Sequence, residues 1–224
     1  MMTYPNKGFS LVEVLIALTI GIFLSLGATQ LFSASSATTR LQQALSEVSE
    51  AGRFTASFIG TDLQKAGYSP SVALTDFLQG VNGVNGGNDS VTVSYDGVIS
   101  NNRDCVGNEV VGNVVNRYLV IDRQLQCNGI TLVDEVESFQ VLYGIDTDNS
   151  LTPNYYSVEP NGGNDVVAVR IGILIRSKNN AQARADQVFN VLDEVVAPEA
   201  DGFLRRLFTK SVLIRNSELD EVFF

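Results

Sequence analysis

The chain has no histidine among its 224 residues. That absence removes the commonest general base, the commonest zinc ligand and the usual partner of a nucleophilic serine. Enzymatic hydrolysis is not expected, and the chain reads as non-catalytic. Cations are also scarce, with 15 Lys and Arg against 25 Asp and Glu and a formal charge of −10. Sequence-independent binding to nucleic acid depends on a cationic surface, so no nucleic-acid partner is expected. No long run of like charge occurs, and the acidity reads as surface solvation rather than an acidic tail. Proline is missing from residues 9–66, so nothing there forces a helix to break. Cysteine occurs only at Cys105 and Cys127.

Against these gaps stands one long apolar run, residues 8–32, whose only charge is Glu13. A helix rises about 1.5 Å per residue, and about 20 apolar residues cross a bilayer core, so the run is long enough to span. An ionisable group in such a helix costs up to about 3 kcal/mol on insertion scales and is a functional-site hypothesis by default. The first eight residues are polar, contain Pro5 and Lys7, and end at Gly8. A secretory signal carries its cleavage site after the apolar core, whereas here the only such junction precedes it. Cleavage after Gly8 would keep the helix and create a new amine on Phe9, four residues from Glu13 and on the same helix face. In a bundle of such helices, that amine could neutralise a neighbour's Glu13.

The segment Gly8-Phe-Ser-Leu-Val-Glu13 resembles the class III leader junction of type IV prepilins and type II secretion pseudopilins. The resemblance implies cleavage between Gly8 and Phe9 by a prepilin peptidase, N-methylation of Phe9, and docking of the subunit into a filament through Glu13. Later blocks are similar to PilW-type minor pilins: Glu-Ala-Gly-Arg-Phe at 50–54, Asp-Leu-Gln-Lys-Ala-Gly-Tyr at 62–68, and residues 136–148, 166–176 and 205–216. The implied function is a minor pilin that primes or tips a type IV pilus. Its expected partners are other minor pilins, the major pilin, the inner-membrane assembly platform and membrane lipid. The alternative is a J-type minor pseudopilin of a type II secretion system.

The implied topology is a single pass through the bacterial inner membrane, with a cytoplasmic amino terminus and a periplasmic domain that later reaches the pilus and cell surface. In that oxidising compartment Cys105 and Cys127 are expected to form a disulfide, with two buried free thiols as the alternative. A loop of about 22 residues would gain roughly 3 kcal/mol on the chain-entropy account.

Residues 41–63 repeat apolar side chains at three- and four-residue steps, the mark of an amphipathic helix. The membrane helix is expected to run on into this segment and to stop at Ala66-Gly67, with Pro70 beyond. Gly52 and Gly60 read as points of close packing against a sheet. After the helix, strands are expected at 91–95, 118–121, 130–133, 139–145, 166–175 and 212–214, the fifth being central because it is apolar on both faces. Asn/Gly-rich loops fall at 82–88, 101–113 and 161–164. The expected fold is α+β, a long N-terminal helix carried on an antiparallel sheet. It divides into a leader (1–8), a transmembrane or filament-core helix (9–32) and a globular domain (33–224).

One loop offers chemistry. Asp146, Asp148 and Ser150 alternate as in the first part of a calcium loop. Leu151 stands where such a loop has Gly, and Ser157 where it has a bidentate Glu. Calcium is therefore the only cofactor candidate. The Asp-x-Asp after an apolar strand also looks like a haloacid-dehalogenase nucleophile motif, but residues 149–176 lack the helical period that fold requires.

Overall fold

The computed structural model describes residues 8–70, 74, 76–84, 86–160, 165–181 and 187–216. The leader through Lys7, Asn85 and the expected 161–164 loop lie outside them. One helix, α1 (Leu11–Leu63), begins the described chain and runs without interruption, as the absence of proline implies. Two compact units divide along it, Met1–Gln43 and Ala44–Phe224.

In the first unit α1 presents apolar side chains to the exterior all round; Leu15, Ile16, Leu18 and Ile22 are each more than half exposed. An 18-residue window has mean hydropathy 2.3, long and apolar enough to cross a membrane. A helix hydrophobic on every side is suited to lipid or to a helical bundle, not to water. Its hydroxyls do not spoil that: Ser25 donates to the Gly21 carbonyl and Thr29 to that of Ser25, within the helix itself.

In the second unit the stretch from Ala44 to Leu63 is amphipathic and buries Val48, Gly52, Thr55, Ile59 and Leu63. Helix α1 ends as expected: Gly67 adopts φ +76° and donates its N–H to the Ser94 carbonyl. Five antiparallel strands then form a meander: β1 (Leu78–Val81), β2 (Ser90–Asp96), β3 (Asn113–Ile121), β4 (Gln124–Cys127) and β5 (Ile130–Val133), in the order β1-β2-β3-β4-β5. A second antiparallel sheet contains β6 (Val136–Ile145), β7 (Tyr155–Ser157), β8 (Val166–Asn180) and β11 (Phe203–Leu213), in the order β11-β8-β6-β7. A hairpin of β9 (Phe189–Val191) and β10 (Glu194–Val196) intervenes.

The centrality expected for residues 166–175 follows from β8 pairing with β6 on one side and β11 on the other. One core joins Val48, Ile59 and Leu63 of α1 to Val93 and Tyr118 of the first sheet and to Phe139, Val141 and Ile173 of the second. The far face of β8 is closed by the hairpin, since a Cβ on Gly172 would meet Leu192 and Val191. Gly52 and Gly60 of the second unit are both contact points. A Cβ on Gly52 would lie within 2.3 Å of the Phe208 ring, and one on Gly60 within 3.0 Å of the Lys210 side chain.

The last strand is longer than residues 212–214. Its alternation of Arg, Phe, Thr and Lys hid it, because Arg206 and Lys210 share the helix-facing side with Phe208, so that the inward face does not read as apolar. Strands β1, β4, β7, β9 and β10 have three or four residues each, too few for a period to register.

Candidate functional site

Two features of α1 bear on function, one in each unit. In the first unit Phe9 and Glu13 head a shallow groove that continues past Ala17, Gly21, Ser25 and Thr29. Spaced by four, the residues from Glu13 to Thr29 share one face of the helix, and Phe9 lies just before it. From Ala17 onward they are small, which lets a neighbouring helix approach the backbone closely. Phe9 is 83% exposed. Glu13 lies in the first turn of α1, where a carboxylate also complements the positive end of the helix dipole. Phe9 precedes the first residue of α1, and it lines the same groove as Glu13.

In the second unit Asp62 is the hub of a buried polar cluster that sequence reading missed. The Tyr95 hydroxyl donates to Oδ1 at 2.6 Å, the Tyr118 hydroxyl to Oδ2 at 2.8 Å and Asn116 Nδ2 to Oδ2 at 2.7 Å. Lys65 Nζ approaches Oδ1 at 3.3 Å. Burial, with the charge of Asp62 beside them, pushes both phenols well above their ordinary range. They remain donors, and the cluster clasps α1 to β2 and β3. Asn116 extends it: its Oδ1 accepts the Cys105 N–H at 3.0 Å, and Cys105 is disulfide-bonded to Cys127 on β4. The cysteine pairing expected from compartment is therefore present, and it anchors the 101–113 loop beside the hub.

Two further polar devices hold the sheets. The N–H groups of Phe139 and Val141 on β6 lie beyond the reach of short β7 and donate instead to Asn88 Oδ1 and Asp89 Oδ2, each at 2.7 Å. Asp89 also accepts the Gly83 N–H and donates its own N–H to the Phe139 carbonyl. These side chains stand in for a missing strand and splice the first sheet to the second. Burial raises the Asp89 carboxyl above its usual range despite those two donors. Elsewhere Arg205, 5% exposed, makes paired hydrogen bonds to Glu137 at 2.6 and 2.9 Å and to Asp201 at 2.6 and 2.7 Å.

At the calcium candidate, Asp146 Oδ1 accepts the Asp148 N–H at 3.0 Å and Oδ2 the Leu151 N–H at 2.6 Å, while Asp148 Oδ1 accepts the Ser150 N–H at 3.3 Å. The alternating oxygens thus cap their own backbone. Leu151 takes φ +61° where a calcium loop would use Gly. Among the described residues no group of three or more Cys, Asp and Glu is placed to hold a metal ion.

The amino-terminal arrangement defines a class. Residues 4–29 match the prokaryotic N-terminal methylation motif, the kind of junction that prepilin leaders carry. Residues 106–216, which include the disulfide's far cysteine and both central strands of the second sheet, match the family Type IV Pilus-assembly protein W, PilW. Over those residues the chain is similar to pilus-assembly proteins of the PilW type. Among solved structures it resembles a type IV-like pilin, TTHA1219, from Thermus thermophilus, at 18% identity and TM-score 0.49, covering 75% of this chain and 96% of that one. No curated protein sequence matches.

Proposed function

We propose that this chain is a minor pilin that takes part in assembling a type IV pilus, acting through binding and not through catalysis. A prepilin peptidase cleaves between Gly8 and Phe9 and methylates the new amine. The subunit waits in the inner membrane with its globular domain outside the cytoplasm. The assembly platform then lifts it out, and residues 9–32 exchange lipid for the helical core of the filament. Glu13 meets the Phe9 amine of an adjacent subunit there, where low dielectric strengthens the pair. The globular domain selects other minor pilins and the major pilin as neighbours, in a complex that primes or tips the fibre.

The observation that carries this reading is the stripe that starts at Phe9 and Glu13 and continues as Ala17, Gly21, Ser25 and Thr29 on an otherwise apolar, exposed helix. A membrane anchor alone needs neither the acid nor the small-residue face. The match to a pilus-assembly family favours the pilus over a secretion pseudopilus.

The test is Glu13→Gln in the native host. We expect normal membrane insertion and normal cleavage after Gly8, read by intact mass, with clear loss of the variant from sheared filaments and fewer pili. Wild-type recovery of the variant in filaments would refute the role given to Glu13.

A further inference from the structure

Strand β11 differs from every other outer strand among the described residues. The outer strands β1 and β5 of the first sheet have four residues each, and β7, at the far side of the second sheet, has three. Both strands of the hairpin also have three. Strand β11 has 11 residues and, among the described residues, pairs on one side only, with β8. Folded proteins keep exposed edges short or interrupt them with proline and bulges, because an open row of N–H and C=O groups is a template for another strand. Phe203–Leu213 contains no proline, and its one register shift lies at its start, between Phe203 and Arg205.

Which groups are free follows from the pairing. The Ile214 N–H donates to the Val167 carbonyl of β8. Backbone groups alternate along a strand, so those of Val212, Lys210, Phe208 and Arg206 also point to β8. Those of Leu213, Ser211, Thr209 and Leu207 point away from it, and Thr209, Ser211 and Leu213 are exposed. The side chains of these four stand on the face turned away from α1, while Arg206, Phe208 and Lys210 stand on the face that meets it.

The strand contains no acid. On its outward face Arg205 is neutralised by Glu137 and Asp201. On its helix face Arg206 donates to Ser49 Oγ at 3.0 Å and lies over the Phe208 ring, and Lys210 lays its stem across Gly60. Neither forms an ion pair among the described residues, in a chain whose net charge is −10. The acids of the adjoining part of α1 are committed elsewhere: Glu47 and Glu50 line a groove with Leu132 and Asp134 on the side of β5, and Asp62 is the hub.

We propose that β11 accepts an extended strand from a partner protein, one that alternates acidic with uncharged side chains. The added strand would pair with the backbone groups of Leu207, Thr209, Ser211 and Leu213. Its acids would stand on the helix side, about 5 Å from Arg206 and Lys210, and its uncharged residues beside Leu207, Thr209 and Leu213. A second copy of this chain fits less well. Antiparallel pairing of β11 with itself sets Arg206 and Lys210 of one copy beside those of the other, and the other outer strands are too short. The inference goes beyond the pilus reading and does not rest on Glu13 or residues 9–32, so its failure leaves that reading intact.

The test uses the full chain in detergent and a fluorescein-labelled peptide of alternating Glu and Val, with binding read by fluorescence anisotropy. We expect saturable binding of this peptide, and binding about tenfold weaker when Lys replaces Glu, from the sum of a few cross-strand charge pairs. Thr209→Pro removes one outward N–H and leaves the pairing with β8 in place, since an edge position tolerates the ring. It should lose most of the peptide binding, whereas Thr209→Ala should keep it. A further arm needs no variant: the acidic peptide with its backbone amides N-methylated should not bind. No binding of the acidic peptide, equal binding of the Lys peptide, unchanged binding by Thr209→Pro or binding that survives N-methylation each overturns the proposal. So does a dimeric chain that Thr209→Pro dissociates, which would give the edge to a second copy.

Discussion

Helix α1 is one element with two characters. From Leu11 to Phe32 every side is open and the outer surface is apolar; from Ala44 to Leu63 one face is buried and the rest is mixed, polar residues alternating with exposed Leu45 and Phe54. The glycines show the contrast at single residues. Gly21 has no atom within 4 Å of the position a Cβ would take, whereas at Gly52 the Phe208 ring occupies it. The same residue type serves a contact already made in the second unit and leaves room for a contact still to be made in the first. The domain stretch is thus complete within the monomer, and the apolar stretch is built for a surrounding that the monomer does not supply.

The sharpest way to probe the completed half is Asp62→Leu. It strands the Tyr95 and Tyr118 hydroxyls and the Asn116 amide in the core, and we expect about 3–5 kcal/mol of lost stability, measured by denaturant unfolding. A loss below about 1 kcal/mol would show that the hub is not what holds α1 to the first sheet.

Next in size is Cys105→Ser. A closed loop spanning 22 positions gives an expected loss of about 3 kcal/mol. The wild-type protein should show no titratable thiol when denatured without reductant. Because Asn116 links Cys105 to Asp62, the two substitutions should be less than additive when combined.

Smaller again is a matched pair, Gly52→Val and Gly21→Val. The first forces Phe208 aside and should cost about 1–3 kcal/mol in domain unfolding. The second should leave domain unfolding unchanged while lowering recovery in sheared filaments, since it fills the small-residue stripe. Equal effects of the pair on unfolding would erase the distinction between the two stretches.

The smallest effect concerns pH. Hydrogen bonds from Arg205, with its charge, hold Asp201 well below the usual carboxylate range. A folded value below the unfolded one, which is about 3.9, means that the stabilisation is present above about pH 4 and fades as pH falls toward the folded value. Asp201→Asn should therefore be less stable than wild type at pH 7, and the gap should narrow steadily below pH 4. A gap independent of pH would show that the Arg205 contact with Asp201 acts by packing alone.

The amino-terminal half of this comparison was legible because its signals are local and dense. Gly8, Phe9 and Glu13 sit at a single polar-to-apolar junction, and helix continuity needed only the absence of proline. The amphipathic half, its stop at Gly67 and the tight packing at Gly52 and Gly60 followed from periodicity and from glycine placed inside a helix. The hub at Asp62 left a fainter trace. It falls between Ile59, Leu63 and Ala66 on the buried face, and an acid inside an apolar stripe asks for partners. Those partners, Tyr95, Asn116 and Tyr118, are 33 to 56 residues away, and no local pattern names them. The Asn88 and Asp89 splice was hidden for a related reason: the residues lie in a Gly/Asn-rich loop and read as turn formers until the free edge of β6 is seen. Asp146 is the reverse case, where an alternating acid pattern suggested a ligand set and the structure uses the oxygens on its own turn.

The way α1 is fastened also determines how the protein responds to force. In the proposed extraction from a membrane, the subunit would be pulled by its helix. Tension along the helix axis reaches the domain at several anchorages: the three donors that converge on the Asp62 carboxylate, the Phe208 ring seated at Gly52, and the Lys210 stem across Gly60. These lie on both sheets, and the sheets are themselves tied by Asn88 and Asp89. Load is thereby shared in parallel instead of being met one bond at a time, which is the arrangement that resists shear and yields only when the anchorages fail together.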